Sequence, residues 1–270
     1  MKSFLRGAAI AIIAILFAML LPDYQIVRPR DLCHCIYTVH ADTQKMDAVP
    51  PLVLWAWERP EDLRFINPTT TGVAFLAATV RLGPSGMTYR PRMQPLLLAH
   101  GTRLVAVVRI ETMAGAALNH ETATRVAQEI AYAARSPGVI AVQVDFDSTT
   151  SERAFYRDLL VELRQQLPIA MPISITALTS WCIGDRWMAG LPIDEAVPML
   201  FRMGVGQGEV TNWMRSGHDF PEAACRTSLG ISLDESWPRL PAGRRVYAFS
   251  PSSWTKRSLQ ELLTELKEWN

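Results

Sequence analysis

Eight short apolar, β-branched runs follow one another from Pro51 almost to the end of the chain, with helix-like or loop segments between them. They are Leu52–Glu58, Gly72–Leu82, Arg103–Glu111, Gly138–Asp147, Pro172–Trp181, Glu195–Met203, Thr227–Glu235 and Arg245–Pro251. Strands that alternate with helices predict a parallel sheet. Eight of them in about 220 residues predict an α/β fold, a closed (β/α)8 TIM-like barrel at the small end of its usual size. An open doubly wound sheet is the alternative, but no G-x-G-x-x-G follows the first run, so the dinucleotide fingerprint is missing.

The segments between the runs support this reading. Asn119–Arg135 starts with a capping asparagine and stops before Ser136-Pro137-Gly138. Ser151–Leu167 places Phe155, Leu159, Leu160 and Leu163 at helical spacing. Ser258–Trp269 is a third helix, and Gly83–Thr102, with its Gly and Pro residues, reads as a loop with one short helix.

Strand side chains alternate between faces, so each run assigns an outer and an inner set. In the fourth run Ile140, Val142, Val144 and Phe146 suit the helix-facing side. Val139, Ala141, Gln143, Asp145 and Asp147 face inward and grow polar toward the C-terminal end. The third run repeats the profile, with Val105, Val107, Arg109 and Glu111 inside, and the seventh leaves Ser228, Gly230, Ser232 and Asp234 inside. Arg202 interrupts the sixth run and points inward. The first and eighth runs are ambiguous, with Glu58 and Trp254 at or just beyond their ends. Acids at strand C-termini of a barrel converge on the face where such enzymes work. Asp145 and Asp147 would then share one pocket, where two neighbouring carboxylates cannot ionise independently and one holds a proton. Glycoside hydrolysis uses such a pair. The competing reading is a structural ion network with Arg109 and Arg202, because buried charges must be paired somewhere. Asp234, Glu235 and Glu58 compete with caps and solvated loop residues. Trp181 and Trp254 at the mouth suit a sugar ring, against ordinary packing.

A formal net charge of +1, with no basic run, argues against nucleic acid. No histidine constellation suggests a metal, and no cofactor is expected. Residues 1–22 carry Lys2 and Arg6 before an apolar run from Gly7 to Leu21, between the length of a signal h-region and a full span. The segment reads as an uncleaved signal anchor, with a cleaved signal as the alternative. It makes the membrane a partner through an N-terminal helix and turns the body to the periplasm or exterior, or exports it. Residues 23–50 read as a linker and 51–270 as the barrel. Cys33, Cys35, Cys182 and Cys225 could form disulfides in an exported protein, though spacing cannot fix their pairing. Cys33-His34-Cys35 fits no standard zinc pattern.

The stretches "GVIAVQVDFDS", "YRDLLVELRQQLP", "PISITALTSW", "VPMLFRMG" and "RVYAFSPSSW" resemble the bacterial domain of unknown function numbered 3142. That family is distantly similar to family-18 glycoside hydrolases, which carry D-G-x-D-x-D-x-E on the fourth barrel strand. The resemblance puts Asp145 where that motif orients the substrate's acetamido group, Asp147 where its glutamate donates a proton, and Gln143 where it has another aspartate. Trp254 matches the tryptophan after the last strand. An aspartate donor is one methylene shorter, about 1.5 Å of reach, and misplacement on that scale can cost about 100-fold. Phe201-Arg202 stands where chitinases have Tyr-Asp.

The expectation is therefore a barrel that hydrolyses or otherwise processes a glycan or other small polar ligand. Asp147 is its general acid, and Asp145 stabilises charge or orients a substrate group. Arg109, Glu111, Gln143, Trp181, Arg202, Asp234 and Trp254 form the binding surface. A non-catalytic barrel that binds a glycan or an envelope protein is the alternative.

Overall fold

The computed structural model describes residues 43–238 and 241–268. In chain order the strands are β1 (Leu52–Ala56), β2 (Glu61–Leu63), β3 (Thr71–Gly83), β4 (Gly86–Pro91), β5 (Leu96–Leu98), β6 (Leu104–Thr112), β7 (Val139–Asp145), β8 (Ile173–Leu178), β9 (Glu195–Met199), β10 (Ser228–Ser232) and β11 (Arg245–Phe249). The helices are α1 (His120–Ala133), α2 (Arg153–Gln166), α3 (Thr179–Ile183), α4 (Gln207–Arg215) and α5 (Lys256–Glu268). β1 pairs in parallel with β3 on one side and β11 on the other. The remaining order, β11-β10-β9-β8-β7-β6-β3, closes an eight-stranded parallel barrel. The eight runs of the sequence are its eight strands.

Alternation sorts the apolar residues into two cores. Ala106, Val108, Ile110, Val142, Val144 and Phe146 face outward, against α1 and α2. Val53, Trp55, Val105, Val107, Ala141 and Tyr247 fill the interior. Trp55 needs space on the opposite strand. A Cβ on Gly230 would lie 3.0 Å from its ring, so any larger residue would force the indole to shift. The 3-10 helix Thr43–Ala48 adds Met46, and Val49 follows, at the interior's other end, so the packed body begins before Pro51.

The helix starts have local causes. Asn119 caps α1, its side chain accepting from the Thr122 amide at 2.9 Å. α2 follows a 3-10 turn in which Thr149 and Glu152 form a capping box, two residues before the serine expected to begin it. Ala123, Val126, Ala127 and Ile130 of α1 are buried at the spacing that presents one helix face to a sheet.

Four expectations need correction. Gly83–Thr102 holds no helix: β4 folds back antiparallel on β3, and β5 pairs with β2. Gly86, at φ 109°, supplies the left-handed backbone that the tight β3–β4 turn requires. Second, the register of β6 against β7 shifts between Leu104 and Val105, so Val105 opposes Ala141. The extra residue moves Ile140 to the inner core and Val139 to the outer one, the reverse of simple alternation. Third, β8 ends at Leu178, and Thr179–Ile183 turns into α3, which carries Trp181 off the strand. Fourth, β9 ends at Met199, before Arg202.

Cys182 in α3 and Cys225, in the 3-10 turn before β10, form a disulfide across 43 residues of chain. Closing a loop of that size constrains the unfolded chain by about 4 kcal/mol in the chain-entropy account. Cys33, Cys35 and the apolar segment of residues 7–21 lie outside the described residues. Among the described residues no helix is long and apolar enough to cross a membrane.

Candidate active site

The C-terminal ends of the barrel strands open into a cavity of about 410 Å³. This lies within the size range of small-molecule sites, about 300–1,000 Å³. One wall holds Arg109 from the end of β6, Asp145 from the end of β7 and Thr176 from β8. Aromatic rings line the cavity as well: Trp57 just beyond β1, Phe249 closing β11, and Phe201 after β9. Phe201 and Phe249 stack at 5.9 Å with their planes 4° apart, and Trp57 meets Phe249 edge-on at 6.4 Å. Trp55 lies at the base, and Leu178, Met199, Met203 and Val210 add to the apolar lining.

Asp145 is buried, 8% exposed, at the last position of β7. Its Oδ1 accepts a hydrogen bond from the Thr176 hydroxyl at 2.7 Å, and its Oδ2 lies 3.9 Å from an Arg109 guanidinium nitrogen. Burial raises its pKa from 3.8 to about 6, and the nearby Asp147 charge adds to the rise. The Thr176 bond and Arg109 hold it back. Asp147 is beyond the strand. The Ser148 amide donates to the Phe146 carbonyl at 2.8 Å, so Asp147 is the central residue of a three-residue turn. That turn sets its side chain at the exposed lip of the same cavity. Partial desolvation raises its pKa too, and Arg109 opposes the rise.

Arg109 is aimed by its neighbours. Its Nε is 3.1 Å from Glu111, and its guanidinium lies 5.9 Å from the Trp57 ring centre. Glu111 also accepts from Arg81 Nε at 2.6 Å, and that bond, before any other influence, holds its carboxyl below the usual range. Glu111 is thus an ionised positioning residue for Arg109, outside the cavity lining.

The structure brings together Arg109, Asp145, Asp147 and Arg202 from the expected set. The others it places elsewhere. Gln143 is wholly buried inside the barrel beneath the cavity, accepting from Trp55 Nε1 at 2.9 Å and donating to Ser174 Oγ at 3.1 Å. Trp181 is buried in α3, edge-on to Trp187 at 5.0 Å. Trp254 is buried too, its Nε1 bonded to the Trp55 carbonyl at 3.0 Å and its amide to Glu61 at 2.9 Å. Asp234 is exposed and accepts from the Ser232 hydroxyl. These two tryptophans follow the rule that a large ring is buried wherever the core can take it. Sequence reasoning missed Trp55, Trp57, Phe201 and Phe249 as lining. The spacing of Trp55 and Trp57, in and just beyond β1, and of Tyr247 and Phe249 in β11 was a partial signal, and Phe201 carried none.

The raised pKa of Asp145 couples its protonation to stability. Its neutral form is favoured in the fold, so its contribution is full below pH 3.8 and is lost as pH rises through about 6. The loss amounts to about 3 kcal/mol. Asp145→Asn keeps an acceptor for Thr176 and removes the ionisation. It should gain up to about 3 kcal/mol on wild type between pH 4 and pH 8 in urea unfolding. A difference that does not change with pH would show that Asp145 titrates normally.

Fold and site define a (β/α)8-type barrel with a carboxylate pair, an arginine and an aromatic wall at its C-terminal mouth. Residues 100–198 match the model of the Domain of unknown function (DUF3142) family, as the sequence motifs anticipated. The matched segment runs from just before β6 through most of β9 and includes Arg109, Asp145, Asp147 and Thr176. No curated protein matches the chain.

Proposed function

We propose that this barrel binds a glycan at its C-terminal mouth and hydrolyses a glycosidic bond there. The observation that supports this reading is that Asp145, with its pKa raised to about 6, and the exposed Asp147 line one cavity together with Trp57, Phe201 and Phe249. The aromatic faces suit the apolar faces of sugar rings. Asp147, at the lip, is the group within reach of a substrate, and its proton goes to the leaving glycosidic oxygen. The hydroxyl of one water ends on the anomeric carbon, and the remaining proton restores the pair. Asp145, deeper and held by Thr176, keeps a proton in the dyad up to about pH 6. Arg109 stabilises whichever carboxylate is ionised.

A location outside the cytosol belongs to the same proposal. The Cys182–Cys225 disulfide supports it, since such bonds persist in oxidising compartments. The purified chain, incubated with a panel of envelope and extracellular polysaccharides, should release new reducing ends from at least one of them. Saturable binding with no release would leave a non-catalytic glycan-binding barrel. No binding to any glycan would remove the reading.

A further inference from the structure

We infer that Arg202 makes this cavity selective for an anionic saccharide, one that bears a carboxylate as a uronic acid unit does. The inference rests on the glycan reading above and narrows it to a substrate class. Four observations meet at this residue. Arg202 lines the same cavity as Asp145. Among the described residues it is the non-glycine residue with positive φ, 53°, a conformation that side-chain-bearing residues rarely adopt and that is retained at functional sites. Its amide is fixed in that conformation by both carboxylate oxygens of Glu235, each at 3.1 Å.

The fourth observation is the state of the guanidinium. It lies 5.3 Å from the centre of the Phe249 ring, which itself stacks on Phe201. Among the described residues no carboxylate lies within 4.0 Å of it and no protein acceptor bonds it, whereas Arg109, Arg153, Arg164 and Arg245 each have an acidic partner. A guanidinium that lies over a ring and bonds no protein acceptor keeps its N–H donors free. Those donors match the two oxygens of a planar carboxylate. The cavity therefore holds, besides the Asp145 and Asp147 carboxylates and their neighbour Arg109, an uncommitted cation. A saccharide with its carboxylate on Arg202 and its ring against Phe249 and Phe201 would present a neighbouring linkage toward Asp147.

The test is calorimetric titration of the full chain with three probes: a galacturonate trisaccharide, its methyl ester and inorganic phosphate. The acid should bind at least about 10-fold more tightly than the ester, since charge-assisted bonds exceed neutral ones. Arg202→Gln should abolish the preference, bringing the acid down to the affinity that the same variant has for the ester. The Glu235 contact is to the backbone and survives this substitution, and Arg202→Lys, with charge but no fork, should keep only part of the preference. Equal binding of acid and ester by wild type, or a preference that persists in Arg202→Gln, would overturn the inference and leave the glycan reading standing. Phosphate that competes as well as the acid saccharide would also overturn it. Binding of neither saccharide would overturn the inference and count against the glycan reading itself.

Discussion

Asp147→Asn should lower turnover of a responsive glycan by about 10²–10⁴-fold, the usual contribution of a positioned general acid. The side chain is exposed at the lip, so the substitution removes no packing and the fold should be unaffected. Asparagine matches aspartate in shape and cannot carry the proton. A second readout follows from the neighbour. The Asp147 charge is one cause of the raised pKa of Asp145, after burial. In Asp147→Asn the Asp145 titration, followed by carboxyl NMR, should therefore move down from about 6 while staying above 3.8. Unchanged turnover would remove Asp147 from the acid role. An unchanged Asp145 titration would show that the two carboxylates do not share a proton. Asp147→Glu then tests reach separately from charge, since it adds one methylene and keeps the carboxylate.

The barrel was legible because parity is a strong signal wherever one face of a strand turns polar. β6 and β10 alternate cleanly, and their inner and outer residues fall where alternation puts them. β1 and β11 were ambiguous for a physical reason. A barrel strand is buried on both faces, so Leu54 and Trp55 are both apolar, and nothing in composition says which faces the interior. The bulge at Ile140 has no compositional mark, because it adds one more apolar residue to an apolar run. Beyond the last ladder bond alternation no longer governs direction. Asp147 reaches the cavity through a turn rather than through strand parity, and Trp181 leaves it because α3 starts at Thr179. Gln143 has the expected parity, yet it lies one layer too deep. Parity gives the face but not the height along the barrel axis, and at that height the interior is filled by Trp55.

That filled layer carries the largest stability effect expected in the molecule. Glu195, at the start of β9, is wholly buried inside the barrel. It is ion-paired with Arg245 and accepts from the Tyr247 hydroxyl at 2.8 Å and from Ser174 Oγ at 3.1 Å. Ser174 continues to Gln143, and Gln143 to Trp55, whose ring forms the base of the cavity. Burial, then the Glu195 charge, pushes the Tyr247 phenol well above its ordinary range, so the hydroxyl stays a donor. Glu195→Ala removes the acceptor for three groups at once and leaves a mostly buried guanidinium without its counter-charge. Breaking such a pair from one side costs about 3–5 kcal/mol. Glu195→Gln keeps an acceptor in the same place and should cost less. Because the chain of bonds ends on Trp55, Glu195→Ala should also alter the near-UV dichroism of the folded protein, a change that a merely destabilised but unshifted interior would not give. Arg245 has a second set of partners, the Met46 carbonyl at 2.7 Å and the Pro50 carbonyl at 3.2 Å. A loss below about 1 kcal/mol in denaturant unfolding would mean that these carbonyls alone satisfy it, and that the polar thread through the barrel is not what holds Trp55 under the site.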